Sequence, residues 1–145
     1  MQTMRTLAGS AIVVAAMAAA AVVMGSWSGT AGGEEPSQTV DITIRDSAFK
    51  VETRVLRLQA PIRIVLHNTD KIEHGFTSPG LAEVDVRVEA HGVVTYGRGI
   101  KGLYVGPGEE AAIIFEPHNA GALKFSCDLH PQMKGELAVL TIGAA

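Results

Sequence analysis

The chain has 145 residues, 47% of them hydrophobic and 19% charged, with a formal net charge of −3. That length allows one domain and a short extension. The mildly acidic balance without a basic stripe excludes nucleic acid as a partner class, and the single cysteine excludes an intramolecular disulfide.

The N-terminus is ordered like an export signal. Met1 to Thr6 carry one charge, Arg5, and Ala11 to Gly25 contain only Ala, Ile, Val, Met and Gly. The small-residue stretch Gly25-Ser26-Trp27-Ser28-Gly29-Thr30-Ala31 follows. This sequence of regions is that of a secretory signal peptide over residues 1–31, cleaved after Ala31. The alternative is an uncleaved membrane tether through residues 7–27, which approaches the ~20 apolar residues that a span requires. Either reading exports the domain, to the periplasm or to a membrane-anchored position facing the periplasmic or extracellular side. Loss of Arg5 leaves the remainder at −4 (−3 minus 1). Residues 32–38 read as a flexible linker, and residues 39–145 as the domain proper.

From Thr39 onward the apolar pattern has period two. Val40, Ile42 and Ile44 alternate with polar residues. So do Ile62, Ile64 and Leu66, with Arg63, Val65 and His67 on the opposite face. Val84, Val86 and Val88 form another row, as do Ala111, Ile113 and Phe115, and then Leu123, Phe125 and Cys127. Turn signals such as Asn68-Thr69-Asp70, His91-Gly92 and Gly106-Pro107-Gly108 punctuate these runs. Short alternating strands with this punctuation indicate an all-β antiparallel sandwich or barrel. The row ending at Cys127 places the cysteine at a strand end and at one pole, with the next loop turning over it. Re-entry into the sheet is expected at Gly135 to Leu140.

That loop, Cys127-Asp128-Leu129-His130-Pro131-Gln132-Met133, places a thiol, an imidazole and a thioether three residues apart. Soft donors of this kind suit copper rather than magnesium or calcium, and methionine is a poor zinc ligand. A copper site that shuttles between two oxidation states is often held by two imidazoles and a thiolate, with a weak axial thioether. The remaining histidines are His67, His74, His91 and His118. His67 follows the outward alternation of its strand, and His91 and His118 sit in turns. His74 begins a new apolar segment after the Asx-type turn at Asn68-Thr69-Asp70, and it is the expected remote ligand.

The stretch from Leu66 to His74, the approach Gly102 to Glu109, the strand Gly121 to Cys127 and the loop Cys127 to Gly135 together resemble the cupredoxin family of small type 1 (blue) copper proteins. The ligand loop is most similar to the amicyanin and plastocyanin type. The resemblance covers residues 39–142 and implies a cupredoxin-like Greek-key β-sandwich. It implies one type 1 copper ion held by His74, Cys127 and His130, with Met133 axial. Gly75 departs from the family pattern, in which Asn or Pro often follows the first histidine, and Leu81 to Gly102 has no clear counterpart. The implied role is single-electron transfer between redox partner proteins by a monomer, not catalysis. No nucleophile–base pair, carboxylate pair or second metal site emerges from the residues. A copper carrier or sensor on the same fold is the alternative. Phe76, Phe125, Leu129 and Pro131 are expected to provide a dry surround, and the edge of His130, framed by Leu129 and Pro131, an electron port. Lys71, Glu73, Asp128 and Lys134 flank the site with mixed sign, which predicts no single-sign steering patch there.

Overall fold

The computed structural model describes Pro36 and residues 38–141. The expected signal or tether over 1–31, and all of the expected linker except Pro36 and Gln38, lie outside the described residues. The strands are β1 (Gln38–Arg45), β2 (Ala48–Val51), β3 (Val55–Arg57), β4 (Ile62–Asn68), β5 (His74–Thr77), β6 (Asp85–Ala90), β7 (Val93–Arg98), β8 (Gly102–Val105), β9 (Glu110–Phe115), β10 (Gly121–Ser126) and β11 (Lys134–Leu140). They form a six-stranded sheet in the order β2-β1-β4-β9-β6-β7 and a five-stranded sheet in the order β3-β11-β10-β5-β8. Most pairings are antiparallel, and β1–β4 and β3–β11 are parallel.

The period-two rows meet between the sheets. Val40, Ile42, Ile62, Ile64, Leu66 and Ile113 of the six-stranded sheet are fully buried. Phe76, Phe125, Leu137 and Val139 of the five-stranded sheet pack against them in one cluster. Strand alternation forces this outcome, because residues two apart share a face and only one face of each sheet meets the core. Val65 departs from the simple expectation of a solvated outer face. It lies beside Ala112 in register and is buried with Ala112 and Ile114 in a second, smaller apolar cluster.

The segment without a clear counterpart, Leu81 to Gly102, also acquires a role. Ser78 caps a 3-10 turn over Pro79–Leu81, its hydroxyl accepting from the Gly80 amide at 3.2 Å and donating to the Lys124 carbonyl at 2.7 Å. β6 and β7 then form a hairpin through His91 and Gly92, whose φ angles of 52° and 73° are those of a two-residue type I′ turn. β6 pairs with β9, so the segment widens the six-stranded sheet by two strands.

Leu66 lies at the middle of this core, in register with Ile42 and Ala111 and without exposed surface. Leu66→Ala is expected to destabilise the fold by about 2–5 kcal/mol through lost burial and a residual cavity, read as a lowered midpoint in a urea titration of the metal-free chain.

Candidate metal centre

Four connections converge at one pole of the sandwich: the β1–β2 turn, the β4–β5 loop, the β8–β9 turn and the β10–β11 loop. Asn68, at the end of β4, ties the β4–β5 loop to the β8–β9 turn. The two N–H groups of its side-chain amide are shared among the carbonyls of Ile72 (2.8 Å), Val105 (2.9 Å) and Gly106 (3.0 Å), and its oxygen accepts from the Asp70 amide at 3.0 Å. The last contact is the Asx turn expected at Asn68-Thr69-Asp70. Thr69 joins the β4–β5 loop to β1, its amide and hydroxyl both donating to the Ile44 carbonyl.

His74 opens β5 with 0% exposure. Its Nε2 lies 2.8 Å from an Asp70 carboxylate oxygen, while Nδ1 is buried without a hydrogen-bond partner. A carboxylate accepts only, so in the neutral ring the proton sits on Nε2 and the lone pair on Nδ1. Asp70 is itself anchored. Its two oxygens accept from the amides of Asp46 (2.8 Å) and Ser47 (2.9 Å). Asp46 and Ser47 have φ angles of 54° and 52° and form the two-residue β1–β2 turn, which points both amides at one carboxylate. The Ser47 amide, then the Asp46 amide and the His74 ring, hold the Asp70 carboxyl below the usual aspartate range.

Cys127 follows the last residue of β10 and is 1% exposed, at the end of the inward row as expected. Its Sγ accepts from the Gly75 amide at 3.2 Å and lies 3.5 Å from His130 Nδ1. The intervening loop is closed by two backbone bonds, Cys127 N to Met133 O and Met133 N to His130 O. His74 and His130 rings lie 4.8 Å apart by centroid. One donor atom each from His74, Cys127 and His130 fall within 4.8 Å of one another, and among the described residues this is the one His/Cys/Asp/Glu cluster able to hold a metal. Met133, 2% exposed, packs with Cys127 and Ile44, and Phe49 lies against that group. An orphaned imidazole nitrogen, a buried thiol and a buried thioether in one apolar pocket fit a soft metal ion such as copper.

The other histidines are elsewhere. His67 lies between Asp41 and Glu110, 3.1 Å and 2.9 Å from their carboxylates. His91 is at the β6–β7 turn, and His118 is exposed. The dry surround is partly different from expectation. Phe76 and Phe125 are buried and stack at 5.0 Å, with Phe49 edge-on to both. Leu129 is 46% exposed and Pro131 is exposed, so they form a rim around half-buried His130 and not an interior wall. The interior wall comes instead from Ile44 and Phe49. Ile44 was visible as the end of the β1 row, but nothing in its pattern tied it to a site.

Gly75 is accounted for by space. A Cβ there would collide with Asp128 Oδ1 and reach 3.3 Å from the Tyr104 ring. The Tyr104 hydroxyl donates to Asp128, which raises the phenol above its ordinary range and fastens the ligand loop to β8. A side chain at position 75 would force this pair away and disturb the amide aimed at Cys127 Sγ.

Gly75→Ala is therefore expected to cost about 1–3 kcal/mol, typical of overpacking, in chemical denaturation of the metal-free chain. Asp70 gives a signature in pH. Its folded-state value is depressed, so its contribution to stability is complete above the unfolded aspartate value of about 3.9 and is lost as pH falls through the lower folded value. Asp70→Asn is expected to remove that part of the acid dependence, measured as unfolding midpoints of the metal-free chain from neutral pH downward.

A family model described as a cupredoxin-like domain matches residues 14–139. No curated protein matches the chain. Among solved structures, the fold is similar to a multicopper oxidase from Campylobacter jejuni described as a metallo-oxidase, with a TM-score of 0.52, 15% identity, and coverage of 74% of this chain and 31% of that one. The chain thus spans about a third of the length of that oxidase. An amicyanin variant in its Cu(I) form is similar with a TM-score of 0.43 and 17% identity, over 77% of this chain and 88% of that one. With the family model spanning most of its length and two β-sheets closing over a His–Cys–His cluster, the chain belongs to the cupredoxin-like domain family.

Proposed function

We propose that this chain is an exported type 1 copper protein that holds one ion and carries single electrons between redox partner proteins. The observation that carries this reading is the buried, unpartnered Nδ1 of His74 beside Cys127 Sγ and His130. In this reading His74, Cys127 and His130 hold the ion, and Met133 is the weak fourth donor. Copper when bound supplies a one-electron couple between Cu(I) and Cu(II).

The chain's own residues do the rest. Asp70 keeps the His74 ring in one tautomer and one orientation, so the lone pair is ready before metal arrives. The Gly75 amide donates to Cys127 Sγ at 3.2 Å and fixes the position of that sulfur. Ile44, Phe49 and Met133 exclude water from the thiolate side. His130 is half-buried between exposed Leu129 and Pro131, and its ring edge is the route by which an electron leaves or enters. The residue order at the N-terminus supports export, in which case the electron donor and acceptor would meet the domain outside the cytoplasm.

The same burial favours an electron cargo over a metal cargo. His74, Cys127 and Met133 expose at most 2% of their surface, so handing the ion to another protein would require the pole to open.

The copper-loaded chain is expected to show an intense thiolate-to-copper absorption near ~600 nm and a reversible one-electron couple, as this site type implies. Cys127→Ser should abolish the band while leaving the far-ultraviolet β spectrum intact. A copper-loaded wild-type chain without the band would refute the type 1 assignment.

A further inference from the structure

The outer face of the five-stranded sheet carries a row of cations that the proposed metal centre does not use. Lys124 is exposed between inward Leu123 and Phe125 on β10. Lys134 opens β11 in register with Ser126. Arg54 lies beyond β11, its carbonyl accepting from the Ala138 amide at 2.7 Å, and Lys101 lies beyond β5, its carbonyl accepting from the Ser78 amide at 2.9 Å. A groove of about 550 Å³ is lined by Arg54, Lys124, Lys134 and Glu136 over Phe125 and Pro79. A neighbouring groove that shares Pro79 and Ser126 extends to Lys101.

Four cations and one carboxylate give the two grooves a charge of +3 (4 minus 1), in a chain whose net charge is −3. Among the described residues, none of the four cations is ion-paired, although Glu136 stands opposite Lys124 in register. The contrast with the other sheet is clear. There Arg63 and Arg87 both close on Glu89, and His67 lies between two carboxylates. The mixed charge expected around the ligand loop does not describe this face, to which Lys134 belongs.

The row crosses the whole sheet, from the β3 side to the β8 side. At about 4.8 Å per strand, four spacings make roughly 19 Å. That is wider than one phosphate or carboxylate group, and the floor between the cations is mainly apolar. It matches the side chains of an acidic protein surface, where opposite potentials steer encounter and register. Ser126, in the floor, directly precedes Cys127.

We propose that the outer face of the five-stranded sheet is a docking surface for an acidic protein partner, engaged through Arg54, Lys101, Lys124 and Lys134 beside the Cys127 strand. The partner's redox role rests on the electron-carrier reading; the binding itself does not. The test uses the metal-free full-length chain and poly-L-glutamate as the acidic probe, followed by amide nitrogen–proton shifts. Shifts are expected at Arg54, Lys124, Ser126 and Lys134. The triple variant Lys101→Glu, Lys124→Glu, Lys134→Glu should weaken binding by roughly tenfold or more. The matched triple on the other sheet, Arg45→Glu, Lys50→Glu, Arg98→Glu, should weaken it far less. Should the first triple misfold, the neutral pair Lys124→Gln, Lys134→Gln replaces it and should still weaken binding. Equal weakening by both triples overturns the proposal in favour of bulk charge. Binding to phosphatidylglycerol vesicles without binding to poly-L-glutamate overturns it in favour of a lipid surface. Saturation of the same residues by one equivalent of inorganic phosphate overturns it in favour of a small-anion site. Because no copper is present, failure here leaves the absorption band standing, and an absent band leaves this binding standing.

Discussion

The pole of this protein depends on one contact, the hydrogen bond from buried His74 Nε2 to Asp70. A neutral imidazole has one donor nitrogen and one acceptor nitrogen. Committing the donor to a carboxylate leaves Nδ1 as a lone pair inside a pocket where water has no access. An unpaired buried polar atom is costly to a fold, and it becomes useful when its partner is an ion that arrives later. Asp70 can hold that ring only because it is held itself, by two turn amides whose positive φ angles aim them at one carboxylate. The cost of the turn geometry is local, and its effect reaches across two loops to the unpartnered Nδ1 of His74.

Around this contact the remaining parts are arranged to limit motion. Asn68 ties the β4–β5 loop to the β8–β9 turn. Tyr104 and Asp128 tie the ligand loop to β8, and Gly75 makes room for that pair while its amide faces Cys127 Sγ. These ties come from three different connections, so the donor atoms are positioned by the sandwich and not by any one loop. A site organised in this way needs little rearrangement when its charge changes by one electron, which is the physical requirement of the proposed role.

Much of the fold was legible because alternation in a strand is a direct record of which face is buried. The rows Val40-Ile42-Ile44 and Leu123-Phe125-Cys127 needed no tertiary information to be assigned inward. Val65 was not legible in the same way: its burial depends on Ala112 and Ile114 lying next to it on another strand, and pairing between strands leaves no mark in the local pattern. The same holds at the site. Cys127, His130 and Met133 share one short loop, so their spacing announced them, and His74 stood out by its position after a turn. Asp70, Ile44, Phe49 and Tyr104 act on those residues from separate segments, and a carboxylate in a turn looks like any other.

The sequence by itself determined that this is an all-β chain with a soft donor set at the end of an inward row, because period and donor chemistry are properties of neighbouring residues. Only the tertiary structure decided which nitrogen of His74 lacks a partner, what occupies the space beside Gly75, and where the unpaired cations gather. Each of those depends on atoms from segments far apart in the chain meeting within a few ångströms, and chain folding alone sets that distance.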